Sequence, residues 1–219
     1  MFYDCNNLTE LTMENGLERI DDEAFSLCNN LKEVTIPRSV NYLGKKVFVP
    51  CESIEKIVYN ATDCLIAVTD SAEMPFDGTT VSELQLGDGI TKIPKDLFSH
   101  FTKITELTIP DSVTEIEEFA FYYCINLENL KLSKNLQIVR DSAFHECNSL
   151  KELNLPEAIQ IIEGWAFGGA LITSLTLPKG LKKLDYLAFG GCDDLTEINY
   201  YPESCEFVNP WKSAADGIY

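Results

Sequence analysis

The stretch DDEAFSLCNNLKEVTIPRSVNYLGKKVF, residues 21–48, decides the fold because most of the chain consists of variants of it. Its apolar residues recur with a period that is clearest for phenylalanine. The recurring phenylalanines are Phe2, Phe25, Phe48, Phe98, Phe121, Phe144, Phe167 and Phe189. Five intervals are 23 residues and the last is 22, while the interval of 50 equals two periods and four residues. A fixed period of this size indicates a solenoid of stacked repeats.

Within one repeat the apolar spacing changes character. Val34 and Ile36 are two residues apart, which predicts a short strand with one face buried. The spacing of Ala24, Phe25 and Cys28 suits the buried side of a short helix, and acidic residues precede it, as helix N-termini favour. Each repeat is therefore predicted to contain a strand, a turn, an extended return and a helical arc.

The predicted fold class is an α/β solenoid of about nine repeats of about 23 residues, forming a single domain over residues 1–219. One repeat cannot bury its apolar side alone, so stacking supplies the core. Strands stack about 4.8 Å apart, whereas helices need about 8–10 Å. We therefore expect short parallel strands on a concave face, short helical arcs on a convex face, and modest curvature.

Two parts of the chain depart from the repeat. The segment of about residues 60–80 contains the four residues by which the long interval exceeds two periods, and it lacks the Ala-Phe pair found in other repeats. It predicts a bulge or small hairpin on the convex side, which is either a tolerated insertion or a functional loop. Residues of about 201–219 are predicted to form a C-terminal cap, in which the ring of Trp211 covers the last layer.

The charge of the chain excludes some partners. There are 35 acidic and 17 basic side chains, giving a net charge of −18. Nucleic acids and anionic lipid surfaces repel such a surface. A basic partner or bound cations are compatible with it, and solubility alone would also explain it.

No segment of the sequence is long and apolar enough to span a bilayer. The chain starts within a repeat and shows neither a signal peptide nor an N-terminal cap, which leads us to expect a fragment or a removed capping segment. The missing signal therefore does not indicate a cytoplasmic location.

Eight cysteines suggest disulfides, but their positions argue for free thiols. Six of them occupy the same place in successive repeats, three residues after the phenylalanine, and so point in the same direction. A disulfide needs facing Cβ atoms about 3.5–4.5 Å apart. We predict a column of buried free thiols, with Cys64 and Cys205 outside the column and unpaired. The six are Cys5, Cys28, Cys51, Cys124, Cys147 and Cys192.

The sequence contains no catalytic, cofactor-binding or zinc motif, so we predict a non-enzymatic protein with no cofactor or metal. The only histidines, His100 and His145, lie two repeats apart and are interpreted as surface residues. A calcium site along the glutamate column is disfavoured because strand spacing does not assemble six to eight oxygens.

The concave strand face carries the candidate binding residues. On either side of the central buried strand residue, one column is mostly glutamate and the other is mostly hydroxyl and amide. A regular array of this kind can bind a long or repetitive partner, although it could also merely keep the sheet soluble. Stacked glutamates repel each other, and Lys32 and Lys151 could neutralise them locally. The candidates are Glu10, Thr12, Glu33, Thr35, Glu83, Gln85, Glu106, Thr108, Glu152, Asn154, Glu197 and Asn199.

The repeated pattern AFxxCxxLxxVxIPxxVxxI resembles the BspA-like leucine-rich repeat family over nearly the whole chain. Residues 58–98, VYNATDCLIAVTDSAEMPFDGTTVSELQLGDGITKIPKDLF, resemble the longer irregular repeat of that family. The resemblance implies a right-handed leucine-rich repeat solenoid. Family members are mostly surface or secreted proteins of bacteria and some protozoan parasites, implicated in adhesion and in binding host proteins.

We therefore expect a non-enzymatic adhesion or binding module of a surface or secreted protein, which binds a protein or glycan, possibly a basic one, through its concave face. A monomer that does not insert into a membrane is expected. The alternative is a structural spacer or stalk that displays another domain. A deep pocket with converging polar groups would instead favour an enzyme.

Overall fold

The computed structural model describes residues 2–67 and 73–208, which form a parallel β-solenoid of about eight turns. Sixteen short strands account for its regular secondary structure. Every strand pairing is parallel and joins equivalent positions of neighbouring repeats. The strands form two ladders that run along the solenoid, one of longer and one of shorter strands.

The long-strand ladder contains the strands that the sequence predicts. They form three sheets, in the orders β2-β4-β6, β8-β10 and β13-β15. The central residue of each strand is apolar and its two neighbours point away from the core, as the period-2 spacing predicts. These strands are β2 (Glu33–Ile36), β4 (Lys56–Tyr59), β6 (Glu83–Leu86), β8 (Glu106–Thr108), β10 (Asn129–Lys131), β13 (Ser174–Leu177) and β15 (Glu197–Tyr200).

The short-strand ladder lies in the segment that the sequence predicts only as an extended return. It forms two sheets, in the orders β1-β3-β5 and β7-β9-β11-β12-β14-β16. Its strands are β1 (Arg19–Ile20), β3 (Tyr42–Leu43), β5 (Leu65–Ile66), β7 (Lys92–Ile93), β9 (Glu115–Ile116), β11 (Ile138–Val139), β12 (Ile161–Ile162), β14 (Lys183–Asp185) and β16 (Glu206–Val208).

The predicted helical arcs are wrong, because the segments around the recurring phenylalanines contain no α-helix within the described residues. Each arc is instead a series of tight turns. The residues two before and two after the phenylalanine adopt left-handed backbone conformations, which interrupt any right-handed helix. The non-glycine residues at these positions are Asp4, Glu23, Leu27, Lys46, Asp96, His100, Phe119, Tyr123, Ser142, Glu146, Trp165 and Leu187.

The hydrogen bonds of the arcs explain why the helix does not form. In a helix the main-chain N–H groups donate within their own segment. Here alternate N–H groups donate to the next layer, for example Phe25 N to Val47 O at 2.9 Å and Phe121 N to Ala143 O at 2.8 Å, and those between them donate to a carbonyl three residues earlier, as in a turn. The arcs therefore stack at nearly the strand spacing rather than at helix spacing, which removes the physical reason for the expected curvature. We call the surface of the long-strand ladder, which is the strand face that the sequence analysis expects to be concave, the long-strand face.

Stacked phenylalanine rings form the centre of the apolar core. Neighbouring rings in the stacks are nearly parallel, with centroids 5.1–5.6 Å apart. One stack contains Phe2, Phe25, Phe48 and Phe76, and the other contains Phe98, Phe121, Phe144, Phe167 and Phe189. The predicted apolar columns are thus confirmed as one continuous core.

The predicted column of free thiols is also confirmed, since all eight cysteines are unpaired. In five of the six column positions the thiol donates to the main-chain carbonyl of the phenylalanine in the preceding repeat. The Cys51 Sγ, for example, lies 3.2 Å from Phe25 O. Burial raises the pKa of Cys51 to about 11. The Cys51 thiol therefore stays protonated at neutral pH, and the buried cysteines of the column act as small packed groups.

The irregular repeat divides the solenoid into two blocks. Phe76, with Pro75 before it, takes the place of the missing Ala-Phe pair and stacks on Phe48 at 5.4 Å. The stack ends there. Among the described residues the long-strand ladder breaks between β6 and β8, and the short-strand ladder breaks between β5 and β7. We call residues 2–67 and 73–86 the N-terminal block, and residues 92–208 the C-terminal block.

Two predicted irregular segments lie partly outside the described residues. The expected bulge or hairpin spans residues of about 60–80, of which 68–72 are not described, while β5 before them remains in the short-strand ladder. The predicted cap begins at about residue 201, yet β16 still pairs with β14. Trp211 and the rest of residues 209–219 lie outside the description.

Candidate functional site

The long-strand face brings the two predicted columns of polar side chains together. The strand register aligns Glu33 with Lys56 and then Glu83, and it aligns Glu106 with Asn129 in the second sheet. Thr35 lies opposite Val58 in the neighbouring column. Thr35 and Asn199 are partly exposed, and the other ten candidate residues are exposed. Their alignment follows from the period, whereas their role in binding stays a prediction.

Four of the twelve candidates lie where the long-strand ladder is absent. Glu10 and Thr12 belong to the first repeat, and Glu152 and Asn154 belong to residues 151–156; neither segment forms a strand. All four side chains are nevertheless exposed in the described structure. The candidate face therefore extends beyond the paired strands.

The charge of the acidic column is neutralised locally by a residue from the same column. The Lys56 Nζ lies 3.7 Å from the Glu33 Oε1 and 3.4 Å from the Glu83 Oε1. The expected neutralising residues, Lys32 and Lys151, are exposed and form no ion pair with the described residues. Because these pairs are largely exposed, each contributes only about 0–1 kcal/mol.

Amide side chains orient two of the glutamates. Gln85 Nε2 donates to Glu83 Oε1 at 2.6 Å, and Asn199 Nδ2 donates to Glu197 Oε1 at 3.0 Å. Each pair is two residues apart in one strand, so both side chains lie on the same face. The hydrogen bonds reduce the freedom of these carboxylates and present them in a defined direction.

The long-strand ladder is interrupted at residues 151–156, between β10 and β13. The backbone of residues 151–155 makes no ladder hydrogen bond to the layers on either side within the described structure. Leu130 and Leu155 are half-buried here, whereas Leu107, equivalent to Leu130 one repeat earlier, is buried. Sequence periodicity could not reveal this interruption, because residues 151–155 keep the apolar spacing of a strand.

An open depression of about 720 Å³ lies over β8, β10 and the interrupted segment. Its lining includes Glu106, Thr108, Glu152 and Asn154, four of the candidates predicted from sequence. Lys131 also lines it, opposite Thr108. Glu106 and Glu152 form no ion pair with described residues, so their negative charge is available to a partner.

A second charged cluster, not anticipated from the sequence, lies on the short-strand ladder. The Arg140 Nη2 is 2.6 Å from the Glu115 Oε1, and the Arg140 Nη1 is 2.9 Å from the Glu163 Oε1. The Lys92 Nζ is 2.8 Å from the Glu115 Oε2. Burial of Glu115 opposes ionisation, but the hydrogen bonds from Lys92 and Arg140 outweigh it and lower the pKa of this carboxyl. The cluster clamps four neighbouring layers together.

The two histidines lie on the arcs, and the structure refines their interpretation as surface residues. His100 is exposed, whereas His145 is half-buried and its Nδ1 lies 3.0 Å from Gly168 O. Tyr122 lies between them, 5.4 Å from His100 and 5.7 Å from His145 by ring centroids. The two histidines therefore belong to an aromatic surface that spacing in the sequence did not reveal.

Residues 2–67 and 73–208 contain no group of three or more His, Cys, Asp or Glu residues placed to hold a metal ion. Among the same residues there is no helix of the length and hydropathy needed to cross a bilayer.

The repeat geometry, with stacked parallel strands and a buried apolar column, defines a leucine-rich repeat solenoid. The family model for the BspA-type leucine-rich repeat region, in six copies, matches residues 1–72 and 69–196. The chain therefore belongs to the BspA-type leucine-rich repeat family, as the repeated motif predicts. Proteins of this family are built on a repeat scaffold.

Solved structures show the same fold. A leucine-rich repeat protein from Bacteroides ovatus is 20% identical, with a TM-score of 0.51, and the match covers 95% of this chain and 70% of that one. A leucine-rich cell surface protein from Faecalibacterium prausnitzii is 22% identical, with a TM-score of 0.50, and the match covers 91% of this chain and 67% of that one. No curated protein shows a significant match to this sequence.

Proposed function

We propose that this chain is a non-enzymatic binding module of a surface or secreted protein, and that it binds a protein or glycan through the long-strand face. The observation that carries the proposal is the register of that face. Outward side chains of equivalent positions lie side by side in successive layers, for example Glu33, Lys56 and Glu83. A repetitive partner can make the same contact at each layer.

The centre of the proposed site is the depression over β8, β10 and residues 151–156. It combines the unpaired carboxylates of Glu106 and Glu152 with partly exposed leucine side chains and backbone groups that have no ladder partner. The unpaired carboxylates favour a basic partner, and complementary charge mainly accelerates association and selects the partner. The cell-surface location is part of the proposal and is motivated by the description of the Faecalibacterium prausnitzii protein.

Charge reversal tests the proposal. Glu83, Glu106 and Glu152 are changed together to lysine, and a matched control changes Glu18, Glu157 and Glu203, which are exposed and lie off the face. Both variants and the unchanged protein are screened on arrays of proteins and glycans, and each ligand is titrated at low and high salt. We expect the face variant to bind a basic ligand roughly tenfold more weakly, with a smaller salt dependence.

The control triple variant should bind like the unchanged protein, because its substitutions lie off the face. It has the same net charge as the face variant, so a difference between the two variants reports the position of the charges. Equal binding by all three proteins would show that the long-strand face is not the site. It would then favour the spacer or stalk interpretation, which needs no particular side chain on that face. Thermal unfolding of each variant verifies that the fold is retained.

A further inference from the structure

An aromatic stripe runs along the arcs of the C-terminal block and crosses four successive layers. Its rings contact one another in sequence, with His100 and Tyr123 at 5.4 Å, Tyr122 and His145 at 5.7 Å, and His145 and Trp165 at 5.0 Å between centroids. At about 4.8 Å per layer, the stripe is roughly 15 Å long. We define the aromatic stripe by His100, Phe119, Tyr122, Tyr123, His145 and Trp165.

The stripe is separate from the hydrophobic core. The stacked core rings nearby, such as Phe121 and Phe144, are fully buried. In the stripe, Tyr123 is 39% exposed and Trp165 is 37% exposed, and His100 is exposed as well. Large aromatic side chains on a surface that do not complete the core are typical of binding sites.

Glycines in the neighbouring arcs hold the stripe in place. A Cβ atom on Gly168 would lie 2.6 Å from Trp165 Cε3 and 2.7 Å from His145 Nδ1. A Cβ atom on Gly190 would lie 2.9 Å from Trp165 Cζ3. The tryptophan ring therefore packs closely against two glycines, and a side chain at either position would displace it.

The backbone positions of the stripe also favour a functional role. Phe119, Tyr123 and Trp165 have φ values of 56°, 60° and 53°. A left-handed conformation costs a side-chain-bearing residue roughly 1–2 kcal/mol, which glycine avoids. Gly169 and Gly191 occupy the equivalent place to Tyr123 in the last two arcs. The exposed rings of Tyr123 and Trp165 therefore bring a conformational cost without the benefit of core burial.

The electrostatic surroundings of the stripe select the sign of its ligand. Aromatic faces are negative and attract cations. The Lys95 Nζ already lies 6.0 Å from the centre of the Phe119 ring. Carboxylates flank the rings, and the Glu146 Oε1 is 3.8 Å from the His145 Nε2. The net charge of −18 adds a long-range attraction for cations and disfavours a second copy of this chain.

We propose that the aromatic stripe is a second binding surface, which takes arginine and lysine side chains from a basic segment of a partner protein by cation–π contact. Arginine is preferred because its planar guanidinium stacks on aromatic faces. The length of the stripe matches about four to five residues of extended peptide. The proposal stands on the rings and not on the long-strand face, so either proposal can fail without the other.

Peptide binding tests the proposal. Fluorescence anisotropy measures binding of labelled peptides Gly-Arg-Gly-Arg-Gly-Arg, Gly-Lys-Gly-Lys-Gly-Lys and Gly-Ser-Gly-Ser-Gly-Ser to the protein. The double variant Tyr123→Leu, Trp165→Leu keeps the net charge, so nonspecific attraction of basic peptides remains. Tyr3→Leu is the matched control, because Tyr3 is 50% exposed and lies on an N-terminal arc outside the stripe.

We expect the arginine peptide to bind more tightly than the lysine peptide, and the serine peptide not to bind. Each stripe ring should contribute about two- to fivefold, so the double variant should lose roughly tenfold in affinity for the arginine peptide. Tyr3→Leu should have no effect.

Gly168→Ala should weaken arginine binding as well, because the new methyl group displaces Trp165 without removing a ring. Unchanged arginine binding in the double variant would overturn the proposal. Preferential binding of a neutral oligosaccharide such as cellohexaose at the stripe would also overturn it, in favour of a glycan platform. Charge reversal on the long-strand face leaves the rings intact, so the ring-dependent loss should persist in that background.

Discussion

The N-terminal and C-terminal blocks share one repeat but differ in how their layers are held together and in what their arcs display. In the N-terminal block, the exposed residues at left-handed arc positions include Asp4 and Glu23. In the C-terminal block, the same positions carry the rings of Phe119, Tyr123 and Trp165. The repeat specifies the stack, and its variable positions allow each block to display a different surface.

The boundary between the blocks passes through a single repeat. Within residues 76–97, β6 pairs with β4 of the preceding repeat, whereas β7 pairs with β9 of the following repeat. The ring of Phe76 stacks backwards on Phe48 and meets Phe101 edge-on at 6.4 Å. Phe101 occupies the cysteine position of its repeat and also contacts Phe98. Aromatic side chains therefore pack between the two blocks, where the described residues form no ladder hydrogen bonds.

The largest expected effect comes from breaking this joint. Phe101→Cys restores the usual residue of the repeat but removes most of a buried ring, so we expect a loss of about 3 kcal/mol in the free energy of unfolding. Because neighbouring layers stabilise each other, the blocks should then unfold in two separate steps. Urea unfolding followed by circular dichroism measures both effects. Phe101→Leu, which keeps most of the volume, is the control and should cost less than about 2 kcal/mol.

A single transition with less than about 1 kcal/mol of destabilisation in Phe101→Cys would show that Phe101 does not couple the blocks. The comparison would then reduce to a difference in surface composition alone.

The next effect concerns the ion cluster around Glu115 and Arg140 in the C-terminal block. Glu115→Gln removes the charge that pairs with Arg140 and Lys92, and we expect a loss of about 1–3 kcal/mol at neutral pH. Because the folded-state pKa of Glu115 is lowered from 4.5, its contribution is present above about pH 4.5 and is lost as the pH falls through the folded-state value.

Thermal unfolding between pH 3 and pH 7 measures this contribution. The variant should lose part of the acid dependence that the unchanged protein shows. Glu18→Gln, at an exposed position without an ion pair among the described residues, should leave that dependence unchanged. An identical acid dependence in Glu115→Gln and the unchanged protein would contradict the role given to the cluster.

The smallest expected effect is the stability difference between a glycine and an alanine variant at an arc position. Its sign distinguishes a left-handed arc from a helix. Glu23 is exposed and has a φ of 55°, so the variant Glu23→Gly should be more stable than Glu23→Ala by about 0.5–1 kcal/mol. In a helix the order would be reversed, with alanine favoured by roughly 1 kcal/mol. Glu128, where φ is not positive, is the control, and there Glu128→Ala should be more stable than Glu128→Gly. Chemical unfolding of the four variants measures both differences, and alanine being favoured at both sites would refute the left-handed arc.

The local pattern of the sequence was sufficient for much of the fold and for part of the candidate site. The apolar columns, the free thiols and the alignment of Glu33 with Glu83 all follow from the period. Other features needed the neighbours in space. Lys56 neutralises the glutamates because it is adjacent across the ladder, whereas Lys32 is only adjacent in sequence. The rings of His145 and Trp165 are 20 residues apart in sequence and 5.0 Å apart in the structure.

The sequence also did not reveal which phenylalanine of the irregular repeat occupies the recurring position. Phe76 follows Pro75 instead of alanine and lies 28 residues after Phe48, so a search for the regular pair misses it. Its place in the repeat is defined by its ring, which stacks on the ring of Phe48.

The sequence by itself determined that this protein stacks in layers, and which side chains face the core, because apolar residues at a constant period must be buried together. The tertiary structure decided the shape of the arcs, the position of the joint between the blocks and the formation of the aromatic stripe. The spacing of Ala24, Phe25 and Cys28 suits a helix as well as a chain of turns. The choice depends on where the main-chain N–H groups donate, and the close stacking of the whole solenoid places the acceptors of alternate N–H groups in the next layer.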